Sequence, residues 1–247
     1  MKEYIVDAII LKSVRAREAD RVITLYTRQL GKKRVVAHGV EKPTSRKRGA
    51  VQPFSHSRLM LRRGRDLDSV SQGEGLEIFP VLRQNLEGLA AASYLAELVD
   101  AFTVDEDPNP PVFQLLLETF VLLGGGRDFV VARAFEIKLV SLLGYRPGLE
   151  ECVLCSAPVE GKVYFLPDQG GIVCGGCLPD TGRTQEVSRG ALETLKALLR
   201  WETGRVGRIR LDPAAGREIK NMLQLFIRYH LEKGIKSGKF MDLVDGR

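Results

Sequence analysis

Apolar positions in the first third of the chain recur with a short, strand-like rhythm. Residues 4–11 and 21–27 are rich in β-branched and aromatic side chains, and residues 33–40 follow a turn-forming Gly31. Residues 54–61 alternate imperfectly, and residues 67–71 begin a fifth run. Five short strands with no helical pattern between them predict a small closed barrel. That strand number suits an OB-fold, a barrel that commonly carries oligonucleotides on one face, and an SH3-like barrel fits the rhythm almost as well.

The period changes at Pro80. Leu82, Leu86, Leu89, Ala90, Tyr94, Leu95, Leu98 and Phe102 recur at helical spacing. The acidic, proline-rich residues 105–111 read as a loop. A strongly apolar helix is predicted over residues 112–123, stopped by Gly124-Gly125-Gly126, and another over about 128–143 with Gly144 as a C-cap. Helical patterning returns after Ser188, a candidate N-cap, with Leu192, Leu195, Leu198 and Leu199 on one face. Asp212-Pro213 opens a last predicted helix through Met222, Leu223, Phe226, Ile227 and Leu231. The expected architecture is α+β and multidomain. An N-terminal OB-fold β-barrel occupies residues 1–80, and an α-helical domain occupies 81–247 with a four-cysteine module inserted at about 148–182.

Composition adds an asymmetry. The chain of 247 residues has a net charge of +6, but residues 1–80 hold 17 Lys+Arg against 9 Asp+Glu, and the remainder holds 20 against 22. All excess positive charge therefore sits with the predicted barrel, which favours a polyanionic partner over a merely solvated surface. No stretch approaches the ~20 apolar residues that span a bilayer, so no membrane role is expected. The N-terminus has acids where a signal peptide needs an apolar core, which makes the cytoplasm the expected compartment.

All four cysteines fall in the glycine- and proline-rich residues 145–182. Cys152-Val153-Leu154-Cys155 and Cys174-Gly175-Gly176-Cys177 are two C-x-x-C pairs with 18 residues between them. That spacing matches a structural zinc site, because each turn can aim two thiolates at one point and two turns complete a tetrahedron. Two disulfides would need an oxidising compartment, and a thioredoxin-like site would use one pair near a βαβ unit. An iron–sulfur cluster has suitable ligands but different common spacings. Four thiolates leave no open position for catalysis at the metal. Tyr164 and Phe165 lie between the pairs, where a β-hairpin would let them pack beneath the cysteine turns.

The barrel's cations cluster as Arg15, Arg17 and Arg21, then Lys32, Lys33 and Arg34, then Lys42, Arg46, Lys47 and Arg48, with Arg58, Arg62, Arg63 and Arg65 as a fourth group. All but Arg58 and Arg65 are carried forward as candidate DNA contacts. Such residues neutralise phosphates and release counterions, giving salt-sensitive and largely sequence-independent binding. Tyr4, Tyr26, Phe54 and Phe79 are the barrel's aromatics and read mostly as core rather than as stacking platforms. His38, His56 and His230 have no ligand-spaced companions, Gly124-Gly125-Gly126 lacks the Lys-Ser/Thr of a phosphate loop, and Glu18 and Asp20 have no second acidic pair. No nucleophile–base pairing is visible, so no enzyme activity is expected.

Taken in order, several fragments resemble the RecO family of bacterial recombination mediators across nearly the whole chain. They are Arg17-Glu18-Ala19-Asp20-Arg21-Val22, Gly31-Lys32, His38-Gly39-Val40-Glu41-Lys42, Ser45-Arg46, Gln52-Pro53-Phe54, Leu143-Gly144-Tyr145-Arg146-Pro147 leading into Cys152, and Lys236-Ser237. Arg17 stands where the family usually has glycine, and Glu41 at a commonly basic or neutral position. Some family members lack the cysteines, which assigns the metal to stability rather than to the shared activity. The resemblance implies an OB-fold, a helical domain and a zinc module. It implies binding of single- and double-stranded DNA, annealing of complementary strands, and loading of recombinase onto DNA coated by single-strand-binding protein. The implied partners are RecR and the acidic C-terminal tail of that coating protein, in a nucleoid-associated setting. An RNA-binding or translation-associated zinc protein with the same barrel is the alternative from another class.

Overall fold

A computed structural model describes residues 2–179, 184–231 and 234–245. By contacts the chain forms two compact units, Met1–Gly126 with Ile235–Val244, and Arg127–Gly234 with Asp245–Arg247.

The first unit begins with five strands, β1 (Glu3–Arg15), β2 (Arg21–Thr27), β3 (Gly31–Ala37), β4 (His56–Arg62) and β5 (Asp68–Glu77). They close into a barrel in the order β1-β2-β3-β5-β4, with β4 returning to pair with β1. Every pairing is antiparallel except β3 with β5, which run parallel through Val35↔Asp68 and Val36↔Ser69. This closed five-stranded order is that of the OB-fold rather than of the SH3-like alternative. Alternation turns Val6, Ala8, Ile10, Ile23, Leu25, Val35, Leu59 and Leu61 into a dry core together with Ala50, Val51 and Val70.

β5 runs six residues past the predicted segment because its second half lacks an apolar signature. Gly73 replaces an inward side chain there, and a Cβ at that position would meet Ala50 and Leu59 at 2.9 Å.

Three helices follow in the first unit: α1 (Pro80–Gln84), α2 (Leu86–Phe102) and α3 (Pro110–Leu122). The single long helix expected from residue 82 is interrupted at Asn85. Its side chain accepts from the Glu87 and Gly88 amides and so caps α2. Pro110 and Pro111, read as loop in the sequence, form the first turn of α3 behind an Asn109 cap, where missing N–H groups cost nothing.

The second unit contains α4 (Asp128–Leu142), β6 (Val163–Leu166), β7 (Gly171–Cys174), β8 (Gln185–Val187), α5 (Arg189–Arg200) and α6 (Pro213–His230). Gly144, at φ 91°, ends the α4 segment, and Ser188 and Asp212 cap α5 and α6 through their side chains. The hairpin between the cysteine pairs is present, and β8 adds a third strand beside β6. The sequence-based module reached residue 182, but residues 180–183 lie outside the described residues. Tyr164 packs with the cysteine turns, but Phe165 points to the opposite face of the hairpin and meets Phe226 of α6 at 5.7 Å, as the period of two requires.

The last helix, α7 (Lys236–Asp245), groups with the first unit. Glu97 of α2 caps it, accepting from the Lys236 and Ser237 amides at 2.9 and 2.7 Å. No helix among the described residues is long and apolar enough to cross a membrane.

Candidate nucleic-acid interface and metal centre

The barrel's register sorts its cations. A bulge between Ile10 and Lys12 shifts the alternation of β1, so that Leu11 is buried and Lys12 joins an outward row. Lys12 pairs with Thr24, and Thr24 pairs with Arg34. The neighbouring outward row is Val14, Val22 and Val36. Lys12, Arg34 and Val14 are exposed, and the other three are half-buried. This wall therefore presents a cationic row beside an apolar row, and neither contains an acid, though Lys12 lies close enough to Glu97 of α2 to help lower that carboxyl's pKa.

Two loops border the wall. Residues 16–20 join β1 to β2 at the Ala37 end of β3, and residues 63–67 lead into β5 where it meets Val35. Arg15 and Arg17 at the first loop and Arg63 and Arg65 at the second are exposed. The first loop is held in shape by Asp20, which accepts from the Gly39 amide and from His38 Nδ1, both at 2.8 Å. Those bonds keep the Asp20 carboxyl below its ordinary range. In OB-folds the β2–β3 face and these two loops are the usual oligonucleotide surface.

Other predicted contacts are placed differently. Lys32 is only 12% exposed, and its ammonium donates to the Asp100 and Thr103 carbonyls at 2.6 Å and pairs with Asp100 and Asp105. Lys33, 13% exposed, pairs with Asp68 and Glu106. Lys32 braces β3 against the end of α2 and the residues after it, and Lys33 braces β3 against β5 and Glu106. Arg21 pairs with Glu41, which is held below the usual carboxylate range chiefly by that hydrogen bond. Arg48 donates to the Val40 and Glu41 carbonyls. Together with Ser13 and Gln52 these residues line a cleft of about 310 Å³. Lys47 donates to the Val70 carbonyl, and burial lowers its pKa. Arg62 pairs with Glu3 at 2.9 Å. Lys42 and Arg46 are exposed in the loop between β3 and β4.

Lys12 was missed in the sequence because the bulge that turns it outward leaves no mark in the apolar alternation. The barrel's aromatics are committed to packing. Tyr26 and Phe79 are buried, Phe54 stacks edge-on with Phe120, and the Tyr4 hydroxyl donates to Asp68.

The cysteines converge. Their four sulfurs lie within 4.8 Å of one another, and Cys155 and Cys174 are 3.9 Å apart. A tetrahedron of sulfurs ~2.3 Å from a central ion has edges of about 3.8 Å, so the set fits a metal. None of the four is in a disulfide. The first turn is shaped by the Cys152 amide donating to Ala157, the Ser156 amide donating to Cys152, and Ser156 in the left-handed region. Val153 tucks over the hairpin, and a Cβ on Gly171 would lie 2.4 Å from it, so only glycine fits there.

Burial works to raise the Cys152 thiol, but the Cys174, Leu154 and Cys155 amides outweigh it and hold the group at about 6. The Cys155 and Cys174 sulfurs push Cys177 up to about 12. Four crowded thiols cannot all ionise without a cation among them, which is the chemistry of a closed thiolate metal site.

Known proteins match this chain along almost its whole length. The family described as "Recombination protein O N terminal" matches residues 1–79, and "Recombination protein O C terminal" matches residues 83–239. A protein named DNA repair protein RecO from Pelotomaculum thermopropionicum is 49% identical over 242 residues, covering 98% of this chain and 94% of its own. Its namesake from Desulforamulus reducens is 44% identical over 98% of this chain and 95% of its own, and that from Desulforudis audaxviator 40% identical over 98% and 97%. With the barrel, the helical region and the metal-binding cysteines in the same chain, the conclusion is that it belongs to the RecO family of DNA repair and recombination proteins.

Proposed function

We propose that this protein is a recombination mediator without active-site chemistry, and that its barrel, residues 1–80, binds single- and double-stranded DNA through the outer wall of β2 and β3. The observation that carries this reading is the acid-free pair of rows on that wall, Lys12–Thr24–Arg34 beside Val14–Val22–Val36, bordered by Arg15, Arg17, Arg63 and Arg65. Guanidinium and ammonium groups there neutralise phosphates, and the valines offer apolar contact to sugars and bases. By lowering repulsion between phosphates, such a wall favours annealing of complementary strands. Lys42 and Arg46 extend the surface. Lys32 and Lys33 serve the fold instead, and Arg21, Lys47, Arg48 and Arg62 contribute less because each is held by a carboxylate or carbonyl, as Arg15 is more loosely by the Glu18 carbonyl at 3.3 Å.

The metal is zinc, held by Cys152, Cys155, Cys174 and Cys177. It keeps the second unit's loop-rich module folded and takes no part in chemistry. Membership in the family supports RecR and the acidic C-terminal tail of single-strand-binding protein as partners, recombinase loading as the outcome, and a cytoplasmic, nucleoid-associated setting.

Reversing Arg17 and Arg34 together (R17E/R34E) tests the reading. Duplex affinity is expected to fall, with the log–log salt slope shallower by about 1.8, or 0.9 per lost phosphate contact. Annealing on DNA coated with single-strand-binding protein should fail in parallel. Unchanged affinity and slope in the folded variant would refute the assignment.

A further inference from the structure

The barrel offers no free aromatic ring to an unpaired base, but the second unit does. Trp201, the chain's sole tryptophan, follows the last residue of α5 and is 43% exposed. Its backbone is fixed at both ends. The Trp201 amide donates to the Ala197 carbonyl at 2.9 Å, and its own carbonyl accepts from the Lys138 ammonium at 2.5 Å. The main chain that carries the exposed ring is thus held in place.

It lines an open cleft of about 440 Å³ with Arg200, Glu202, Arg205 and Arg208. Residues 200–210 carry four arginines and one acid. The segment Thr203–Arg208 is a 3-10 turn in which side chains three apart eclipse, so Arg205 and Arg208 stand on one side while Val206 anchors the turn in the core. Arg200 pairs with Glu150, and Arg205 with Glu202 at 3.5 Å, both in solvent where such pairs are weak and readily exchanged for a phosphate. Among the described residues no acid forms an ion pair with Arg208 or Arg210.

We propose that this cleft is a second nucleic-acid site, specific for single strands, in which a base stacks on Trp201 and flanking phosphates meet Arg205 and Arg208. A stacked base needs an exposed π-face, which a duplex interior does not offer, and base–aromatic stacking with cationic flanks is the recurrent chemistry of single-strand binding. The cleft's charge suits a polyanion. Its open shape suits a passing chain better than the enclosed apolar hole that would anchor a peptide's terminal side chain.

The sole tryptophan makes the test site-specific. Oligothymidine is titrated into the full-length, metal-loaded protein while Trp201 emission is read. Saturable quenching is expected. It should persist in R17E/R34E, and in R205Q/R208Q it should weaken with a salt slope shallower by about 1.4, or 0.7 per contact on a single strand. In the R17E/R34E background, W201L should weaken oligothymidine binding, read by anisotropy, by about fivefold or more, and W201F should recover most of it.

Emission that ignores oligothymidine, that responds equally in R205Q/R208Q, or that moves as strongly with duplex overturns the proposal. So does emission that moves only with an acidic peptide, which would make the cleft a protein-docking site. Any of these with barrel-borne binding intact would leave the reading of the barrel standing.

Discussion

The barrel and the cysteine module are both small, mainly antiparallel β-structures, yet they are held together in opposite ways. The barrel closes on itself, so its strands have no open edge and its core is a ring of aliphatic side chains that are all but fully buried. The module has strands of four, four and three residues; on its cysteine side the buried cluster is Cys152, Leu166 and Val173, while its other face packs Phe165 on α6. The barrel thus carries a large aliphatic core of its own, whereas the module's cysteine side buries little and places four thiols within 4.8 Å of one another. In the barrel some cations, such as Arg17 and Arg34, are left exposed for a partner while Lys32 and Lys33 brace the fold, whereas in the module all four thiols face one another.

The sharpest way to break this contrast is to remove the metal. Structural zinc in small modules contributes on the order of 10 kcal/mol, because the unfolded chain has no preformed site. A strong chelator is expected to release the metal in equimolar amount and abolish amide protection in β6 and β7, while protection of β1 to β5 is retained. Hydrogen exchange read by mass spectrometry checks both halves. Surviving protection in the hairpin would show that the module does not depend on its ion. The complementary perturbation is L59A. It empties a fully buried position in the barrel and should cost about 2–5 kcal/mol by the urea midpoint without changing metal content.

The same contrast explains what could be read from the sequence. The strands and the cysteine spacing were legible because each is a local pattern, a period of two or a pair of tight turns. The role of each cation was not, because it depends on partners far away in the chain. Lys32, Lys33 and Arg34 look alike as a run, yet Lys32 reaches Asp100, Lys33 reaches Glu106, and Arg34 faces solvent. Lys12 was hidden by a bulge, the second half of β5 by a glycine that stands in for a core side chain, and α7 by its lack of a cap of its own. The cap comes from Glu97, some 140 residues earlier.

Comparing Lys32 with Arg34 brings the distinction down to neighbouring residues. K32M keeps the stem but deprives two carbonyls and Asp100 of their donor, and should cost about 1–3 kcal/mol in stability. Its DNA affinity at fixed salt, measured well below the melting temperature, should stay as in the wild type. R34Q should do the reverse, leaving the melting temperature unchanged and making the duplex salt slope shallower by about 0.9. If K32M lost affinity as R34Q does, sorting cations by their internal partners would be wrong.

The smallest expected effect is a pH dependence at the junction of α2 and α7. Burial works to raise the pKa of Glu97, but the Ser237 hydroxyl and the Lys236 and Ser237 amides outweigh it and hold the carboxyl below its ordinary value. A group whose pKa is depressed on folding stabilises above its unfolded value and loses that contribution as pH falls through the folded one. The docking of α7 should therefore be fully present at neutral pH and weaken below about 4.3, the unperturbed glutamate value. The methyl resonances of Met241, a buried α7 residue, should shift over that window while those of Leu59 stay still. In E97Q the acid-induced shift should vanish, because the amide side chain, which can still accept from one of the α7 amides through its single oxygen, no longer titrates. A shift that persisted in E97Q would place the sensor elsewhere and leave α7 held by its apolar contacts alone.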